Sequence, residues 1–130
     1  MKIGDKVYWI DIVKDCAVEY TVWDVGGSYI SIYSKNGENH QYLFKSEISP
    51  VNSDDVLNYM YFLSEFDALY VLAMTREEKL DELRDYYQAE GEWDSLRDLE
   101  KELRDVLEDK IEYLCTENQK LHAELAKFSA

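Results

Sequence analysis

The hydrophobic period of the chain changes near residue 63, and this change limits the fold more than any other feature. Before it, short runs of β-branched and aromatic residues are separated by turn residues, a pattern typical of antiparallel strands. After it, apolar residues recur at steps of three and four, which is typical of amphipathic helices. The sequence therefore predicts an α+β chain in two parts, with domains at residues 1–63 and 64–130.

The first part contains four runs that predict strands, at residues 7–13, 17–25, 29–33 and 40–44. The pair Asn36-Gly37 predicts a tight hairpin between the third and fourth runs, because both residue types tolerate a positive φ. The segment from Val56 to Leu63 is ambiguous between helix and strand, and its aromatic content favours a fifth strand. We therefore expect a small five-strand antiparallel barrel.

The second part predicts two helices that form an antiparallel hairpin or coiled coil. Ser64 and Asp67 have the spacing of a capping box at the first helix start. The helix is expected to end near Ala89, with Gly91 as the stop signal. A longer helix is expected from about residue 93 to about residue 127. The predicted apolar stripe of the first helix is Phe66, Leu69, Ala73, Arg76, Leu80, Leu83 and Tyr87.

The end of the second helix resembles a leucine zipper. Its three-four alternation places Asn118 where one buried polar residue fixes register and two-strand pairing. Only two heptads carry this pattern, so an alternative stays open. In that alternative Asn118 is exposed on a helix of an intramolecular hairpin. The expected dimerisation residues are Ile111, Leu114, Asn118, Leu121 and Leu125.

Charge excludes some partners and suggests others. The chain has 28 Asp plus Glu, 14 Lys plus Arg and a formal net charge of -14. Phosphate contacts need a positive surface, so direct binding to nucleic acid or to an anionic membrane is not expected. Residues 1–63 carry nine acids and five bases, a net of -4, whereas residues 64–130 carry nineteen and nine, a net of -10. Most of the negative charge therefore lies in the part that is predicted to be helical.

Many helical acids are spaced four residues apart, where like charges repel and each pair costs about 0.2–0.5 kcal/mol. One interpretation is an acidic face that docks on the basic groove of a nucleic-acid-binding protein. The other is a solubilising coat on a coiled coil that dimerises the chain, which would be an adaptor whose small barrel binds a peptide or protein partner. Under the first interpretation the partner-binding residues are Glu77, Glu78, Asp81, Glu82, Asp85, Glu90, Glu92, Asp94, Asp98, Glu102, Asp105 and Asp109.

No residue pattern in the chain points to catalysis. His40 and His122 stand alone, Cys16 and Cys115 are far apart in sequence, and the five glycines form no phosphate-binding loop. We therefore expect no catalytic residues, no metal site, no cofactor and a non-enzymatic protein. The polar start and the lack of a long apolar run lead us to expect a cytoplasmic protein.

Two further resemblances concern the first part and its junction with the helices. Residues 3–9, Ile-Gly-Asp-Lys-Val-Tyr-Trp, resemble the entry to small barrels of the Tudor and KOW kind. Residues 61–69 resemble a strand-to-helix junction frequent in small proteins of bacteriophages and their Gram-positive hosts. Small acidic phage proteins include anti-CRISPR inhibitors, some of which mimic DNA. This resemblance implies a host-cytoplasmic inhibitor of a CRISPR effector or other defence nuclease.

Aromatic residues are unusually dense in the predicted strands. Because successive strand residues alternate faces, they cannot all point inward. Most are expected to pack under the helical half, whereas exposed rings would allow a Tudor-type reader of a peptide or nucleic acid. The residues in question are Tyr8, Trp9, Tyr20, Trp23, Tyr29, Tyr33 and Tyr42.

Overall fold

The computed structural model describes residues 1–35 and 37–129, so Asn36 of the predicted hairpin lies outside the described residues. Over these residues the chain is α+β, with a curled six-strand sheet followed by two long helices. The strands are β1 (Lys6–Asp11), β2 (Cys16–Val25), β3 (Tyr29–Ser34), β4 (His40–Phe44), β5 (Ile48–Ser49) and β6 (Tyr61–Phe62). The helices are α1 (Glu65–Ala89) and α2 (Trp93–Ser129).

The first four strands form the predicted antiparallel meander. β1 pairs with β2, β2 with β3 and β3 with β4, and the sheet order is β4-β3-β2-β1-β6-β5. One bulge lies in β2 at Trp23, where the register shifts between Val22 and Asp24. Bulges of this kind increase local twist and help a sheet to curl.

The prediction of a five-strand antiparallel barrel is wrong in its strand count and in its pairing. Residues 56–63 form a 3-10 helix at Val56–Asn58 and then the two-residue strand β6, rather than one strand. β6 pairs antiparallel with β1, and β5, which the sequence did not predict, pairs parallel with β6. The sheet is therefore a half-barrel with both antiparallel and parallel pairs. The chain between β5 and β6 crosses back before β6 begins, so these two strands run in the same direction.

The two faces of the sheet bury separate clusters. One face closes on itself around Ile48 of β5 and residues that alternate along the meander, which are Val7, Tyr20, Val22, Ile30, Ile32 and Leu43. The other face, which we call the outer face, carries Ile10 and Phe62 and packs against Ala68, Val71 and Leu72 of α1. The first half of α1 thus covers the outer face at its β1 and β6 end.

The buried side of α1 differs from the predicted stripe at its start. Ala68, Val71, Leu72 and Thr75 are buried, whereas Phe66 is 77% exposed. The first turns of α1 are apolar on several sides, so spacing alone did not identify the side that meets the sheet. Ser64 supplies one half of the predicted capping box, since its Oγ accepts from the Asp67 amide at 3.4 Å.

Gly91 ends α1 as predicted. Its φ of +68° is left-handed, its amide donates to the Gln88 carbonyl at 3.2 Å, and the Glu92 amide donates to the Tyr87 carbonyl at 2.9 Å. These two bonds are those of a Schellman motif, which satisfies the last carbonyls of a helix. The Nε of Arg84 donates to the Glu100 carboxylate at 2.7 Å and so links the helices on either side of this turn.

Contacts divide the chain into two compact units, Met1–Leu83 and Arg84–Ala130. The division falls inside α1, twenty residues beyond the boundary that the change of period predicts. The first unit therefore contains the sheet together with the part of α1 that covers it. Among the described residues, neither helix is apolar enough over a sufficient length to cross a membrane.

Candidate functional site

The acidic residues singled out in the sequence all lie at the surface. Each of the twelve is exposed, on α1, on the turn that follows it or on α2. Glu77 makes a contact of 3.3 Å with Arg76, and Asp94 one of 3.7 Å with Arg97. The Arg97–Asp94 contact is largely in water, where an ion pair contributes little free energy, whereas Arg76 is largely covered and Glu77 is exposed.

Five of the acidic residues share one side of α2. At 100° per residue they fall within about 80° of the helix circumference, and successive acids four residues apart are separated by about 6 Å along the axis. They are Asp94, Asp98, Glu102, Asp105 and Asp109. This side of α2, which we call the acidic stripe, presents a continuous negative surface in the second unit.

The expected dimerisation residues are exposed in the single chain. Ile111, Leu114, Leu121 and Leu125 keep 52% to 63% of their surface in water, and Asn118 between them is exposed as well. Ile111, Leu114, Asn118 and Leu121 line an open groove of about 460 Å³. Soluble monomers rarely expose contiguous apolar surface of this kind, so we treat this zipper stripe as a candidate interface.

A third surface lies on the outer face of the sheet at the β4 end. Tyr42 is 75% exposed, Phe44 59% and Tyr29 49%. Tyr29 contacts Tyr42 and Phe44 edge to face, with ring centroids 6.3 and 6.2 Å apart. We call these three residues the aromatic shelf. With Leu43 they line a cleft of about 430 Å³.

The aromatic residues of the strands do not share one environment. Tyr8 packs beside the cluster that contacts α1, as expected for rings under the helical part, whereas Tyr20 is buried in the cluster on the other face of the sheet. Trp23, Tyr29 and Tyr42 are exposed, so the expectation of packing under the helices is wrong for them. The reason is that α1 covers the β1 and β6 end of the outer face, whereas these rings lie toward β3 and β4.

The two histidines lie on different elements, His40 on β4 and His122 on α2. Within residues 1–35 and 37–129 there is no group of three His, Cys, Asp or Glu side chains that could hold a metal ion. His40 stacks on Tyr33 at 6.1 Å and meets Trp23 edge to face at 6.0 Å, so it extends the aromatic surface. His122 and Cys115 are exposed on α2.

Lys79 is a partly covered cation that contacts the 3-10 helix at Val56–Asn58. Its Nζ donates to the Leu57 carbonyl at 2.9 Å and to Thr75 Oγ1 at 2.7 Å. Burial lowers the pKa of Lys79, although nearby Glu82 and Glu78 oppose the change. Its bond to Leu57 ties the 3-10 helix at Val56–Asn58 to α1, so we assign Lys79 an anchoring role.

Phe44 is a surface residue that the sequence pattern did not single out. The signal was available, since residues 40–44 read His-Gln-Tyr-Leu-Phe and place every second side chain on one face. Strand alternation includes Tyr42 among the rings that could be exposed, and the same alternation applies to Phe44.

No protein-family model, no curated protein and no solved structure matches the chain.

Proposed function

We propose that the chain is a non-enzymatic homodimeric adaptor, which pairs through the zipper stripe and uses its sheet unit to bind a protein partner. The observation that carries this proposal is the exposure of all five dimerisation residues in the single chain. Pairing would remove their apolar surface from water, which is the main favourable term in most protein association.

The heptad positions favour a parallel pair. Ile111, Asn118 and Leu125 occupy a positions, and Leu114, Leu121 and Phe128 occupy d positions. In a parallel, in-register pair the Asn118 side chains meet each other, so each amide can bind the other. In an antiparallel pair, a positions face d positions and Asn118 would lie against leucine, which leaves its amide unsatisfied.

Light scattering after size exclusion tests the dimer. The full chain is expected to have twice the monomer mass, and the double variant Leu114→Asp, Leu121→Asp is expected to be a monomer with unchanged helical circular dichroism. Tyr113→Asp is the matched control, because Tyr113 is exposed on α2 beside the stripe and should leave the dimer intact. A monomeric full chain at all concentrations would contradict the proposal.

A labelling experiment tests the orientation. A single cysteine at Lys127, in a chain with Cys16 and Cys115 changed to Ser, carries a spin label. In a parallel pair the two labels lie side by side. In an antiparallel pair that sets Leu114 against Asn118, residue 127 lies opposite residue 105, about 33 Å away along the axis.

The second candidate function is the acidic inhibitor that the sequence resemblance implies. The specific support is the acidic stripe, whose five carboxylates share one side of α2. Rigidly placed carboxylates could occupy a basic groove in place of phosphates and would speed association at low salt. The partner would then be a CRISPR effector or another defence nuclease with a basic nucleic-acid-binding groove.

This candidate is tested by reversing charge within the stripe. Asp94, Asp98 and Glu102 are changed to Lys, and inhibition of DNA cleavage by a panel of defence nucleases is measured at several salt concentrations. Inhibition by the natural chain should weaken with salt and be lost in the variant, while the helical circular dichroism remains. Glu65→Lys, Asp67→Lys at the start of α1 is the control for a general change in net charge. Equal inhibition by the stripe variant would contradict this function.

A further inference from the structure

The strand β4 is an open edge of the sheet with an unusual sequence. It lies last in the strand order, and its pairing partner is β3 on one side. Natural edge strands are protected by Lys, Pro or a bulge, because their free peptide groups can pair with another strand. The residues of β4, His-Gln-Tyr-Leu-Phe, include none of these protecting types, and β4 pairs with β3 without a shift in register.

The backbone register identifies which peptide groups face this edge. The Ser34 amide donates to the Asn39 carbonyl and the Lys45 amide to the Ser28 carbonyl, each at 2.9 Å, so both pairs are of the hydrogen-bonded kind. Such pairs alternate along an antiparallel ladder. Residues 39, 41, 43 and 45 therefore point their peptide groups toward β3, and residues 40, 42 and 44 point theirs to the open edge.

One of these edge groups is already bound. The Phe44 amide donates to the Glu47 carboxylate at 2.9 Å, which ends the usable edge at that residue. The amides and carbonyls of His40 and Tyr42 remain directed outward from the sheet. They provide a short ladder for two or three residues of an added strand, with Glu47 marking its limit.

The same residues also form the side-chain part of the site. Tyr42 and Phe44 carry the aromatic shelf, and their side chains lie on the outer face with Tyr29. Leu43 also lines the cleft, although its side chain, only 4% exposed, belongs to the cluster on the opposite face of the sheet. An added strand places alternate side chains on this face, so one residue in two would rest on the rings.

Charge selects the chemistry of the occupant. The chain carries a net charge of -14, and the exposed Asp24 of β2 lies opposite Ser31 of β3, which in turn pairs with Tyr42 of β4. Aromatic ring faces attract Lys and Arg, and their long aliphatic stems can cover apolar surface. The residues of β4 itself include no Lys or Arg, so a second copy that paired edge to edge would not place such side chains on the rings.

We propose that the β4 edge binds an extended, basic segment of a partner protein as an added strand, with Lys or Arg side chains resting on the aromatic shelf. The inference rests on the proposed function in taking the sheet unit as the part that binds the partner. Binding of one segment does not itself need the dimer. The site therefore indicates that an adaptor of this class would bind a partner with an extended, basic segment.

The test uses the full chain and ten-residue peptides that alternate valine with arginine or valine with glutamate. Amide NMR shifts are recorded during titration, together with fluorescence of the tryptophans. The arginine peptide should move the amides of His40 and Tyr42 and bind at least tenfold more tightly than the glutamate peptide. Equal binding of both peptides, shifts confined to the helices, or no binding of the arginine peptide would overturn the proposal.

Two variants separate the edge from the rings. Tyr42→Pro removes the outward amide, which an edge strand tolerates, and Tyr42→Ala removes the ring while keeping the amide. Both variants should bind the arginine peptide at least tenfold more weakly than the natural chain does. Thermal melting checks that both variants fold. Tyr113→Ala, which removes an exposed ring from α2, is the control and should bind like the natural chain. Natural affinity in Tyr42→Ala would overturn the proposal.

Two further measurements separate peptide binding at the β4 edge from dimerisation and from base stacking. The monomeric variant Leu114→Asp, Leu121→Asp should bind the arginine peptide as the natural chain does. Failure of the proposed dimer and failure of peptide binding at β4 can therefore be told apart. A single-stranded oligothymidine should not displace the peptide. Tighter binding of the oligonucleotide at the same amides would assign the shelf to base stacking instead and overturn the proposal.

Discussion

The Nε of Arg76, on α1, donates to the carbonyl oxygen of Ile12 at 2.7 Å. Its Nη2 donates to the Val13 carbonyl at 3.2 Å, and Asp15 lies 3.6 Å from the same guanidinium. The turn between β1 and β2 is thus held on the helix by a charged group that is itself largely covered. Hydrogen bonds that involve a charged partner contribute more free energy than neutral ones.

Replacement of Arg76 by Ala is expected to lower the free energy of unfolding by about 2 kcal/mol, because two carbonyls lose a charged donor. Urea denaturation followed by circular dichroism measures the change. Arg97→Ala is the matched control, since Arg97 pairs with Asp94 across water at 3.7 Å. Its effect should stay within about 0.5 kcal/mol. Equal losses in the two variants would show that the contact with the β1–β2 turn contributes nothing specific.

The sequence predicted this helix well in extent and poorly in orientation. The ends of α1 and the positions of β1 to β4 followed from residue types alone, because turn glycines and strand alternation are local signals. The side of α1 that meets the sheet depends on which of several apolar sides finds Ile10 and Phe62. That choice is made by tertiary packing, and the exposed Phe66 shows that spacing could not reveal it.

The candidate sites also differ in how far the sequence predicts them. The zipper stripe and the acidic stripe follow from spacing on one helix, and their side chains are exposed as such roles require. The aromatic shelf joins Tyr29 of β3 to Phe44 of β4, and its exposure depends on where α1 stops covering the sheet. Sequence periodicity within one element carries no information about that limit.

Substitution of Gly91 by Ala is expected to cost about 1 kcal/mol of unfolding free energy, because a left-handed φ is unfavourable for a residue with a Cβ. A Cβ at Gly91 would meet no atom within 4 Å, so backbone strain is the sole cause. Gly27 is the matched control, since a Cβ there is equally free of contacts and its backbone is not left-handed. Thermal melting that shows the same loss in Gly27→Ala would contradict backbone strain as the cause.

High pH is expected to destabilise the sheet through its covered tyrosines. The Tyr61 hydroxyl donates to Gln41 Oε1 at 3.0 Å, and burial raises the pKa of Tyr61 and of Tyr20 above the ordinary 10.0. The folded chain keeps these protons where the unfolded chain loses them, so this stability is complete below pH 10 and is lost as the pH rises beyond it.

Urea denaturation at several alkaline pH values measures this effect. Tyr61→Phe removes one of the titrating groups and should make the loss of stability with pH less steep. Tyr113→Phe, on the exposed surface of α2, should follow the natural chain. An identical pH dependence for the natural chain and Tyr61→Phe would show that the covered tyrosine does not resist ionisation.

Asn118→Leu should change the stoichiometry of the assembly rather than abolish it. In the proposed parallel pair, Asn118 is the one polar side chain among the a and d positions from Ile111 to Phe128, and such a residue selects two strands at a cost in stability. Its replacement by Leu should raise the melting temperature and add species larger than the dimer in light scattering. Gln119→Leu, at the neighbouring exposed b position, adds the same apolar group outside the seam and should leave a dimer. If both variants melt and scatter like the natural chain, Asn118 lies outside any interface and the parallel pairing is wrong.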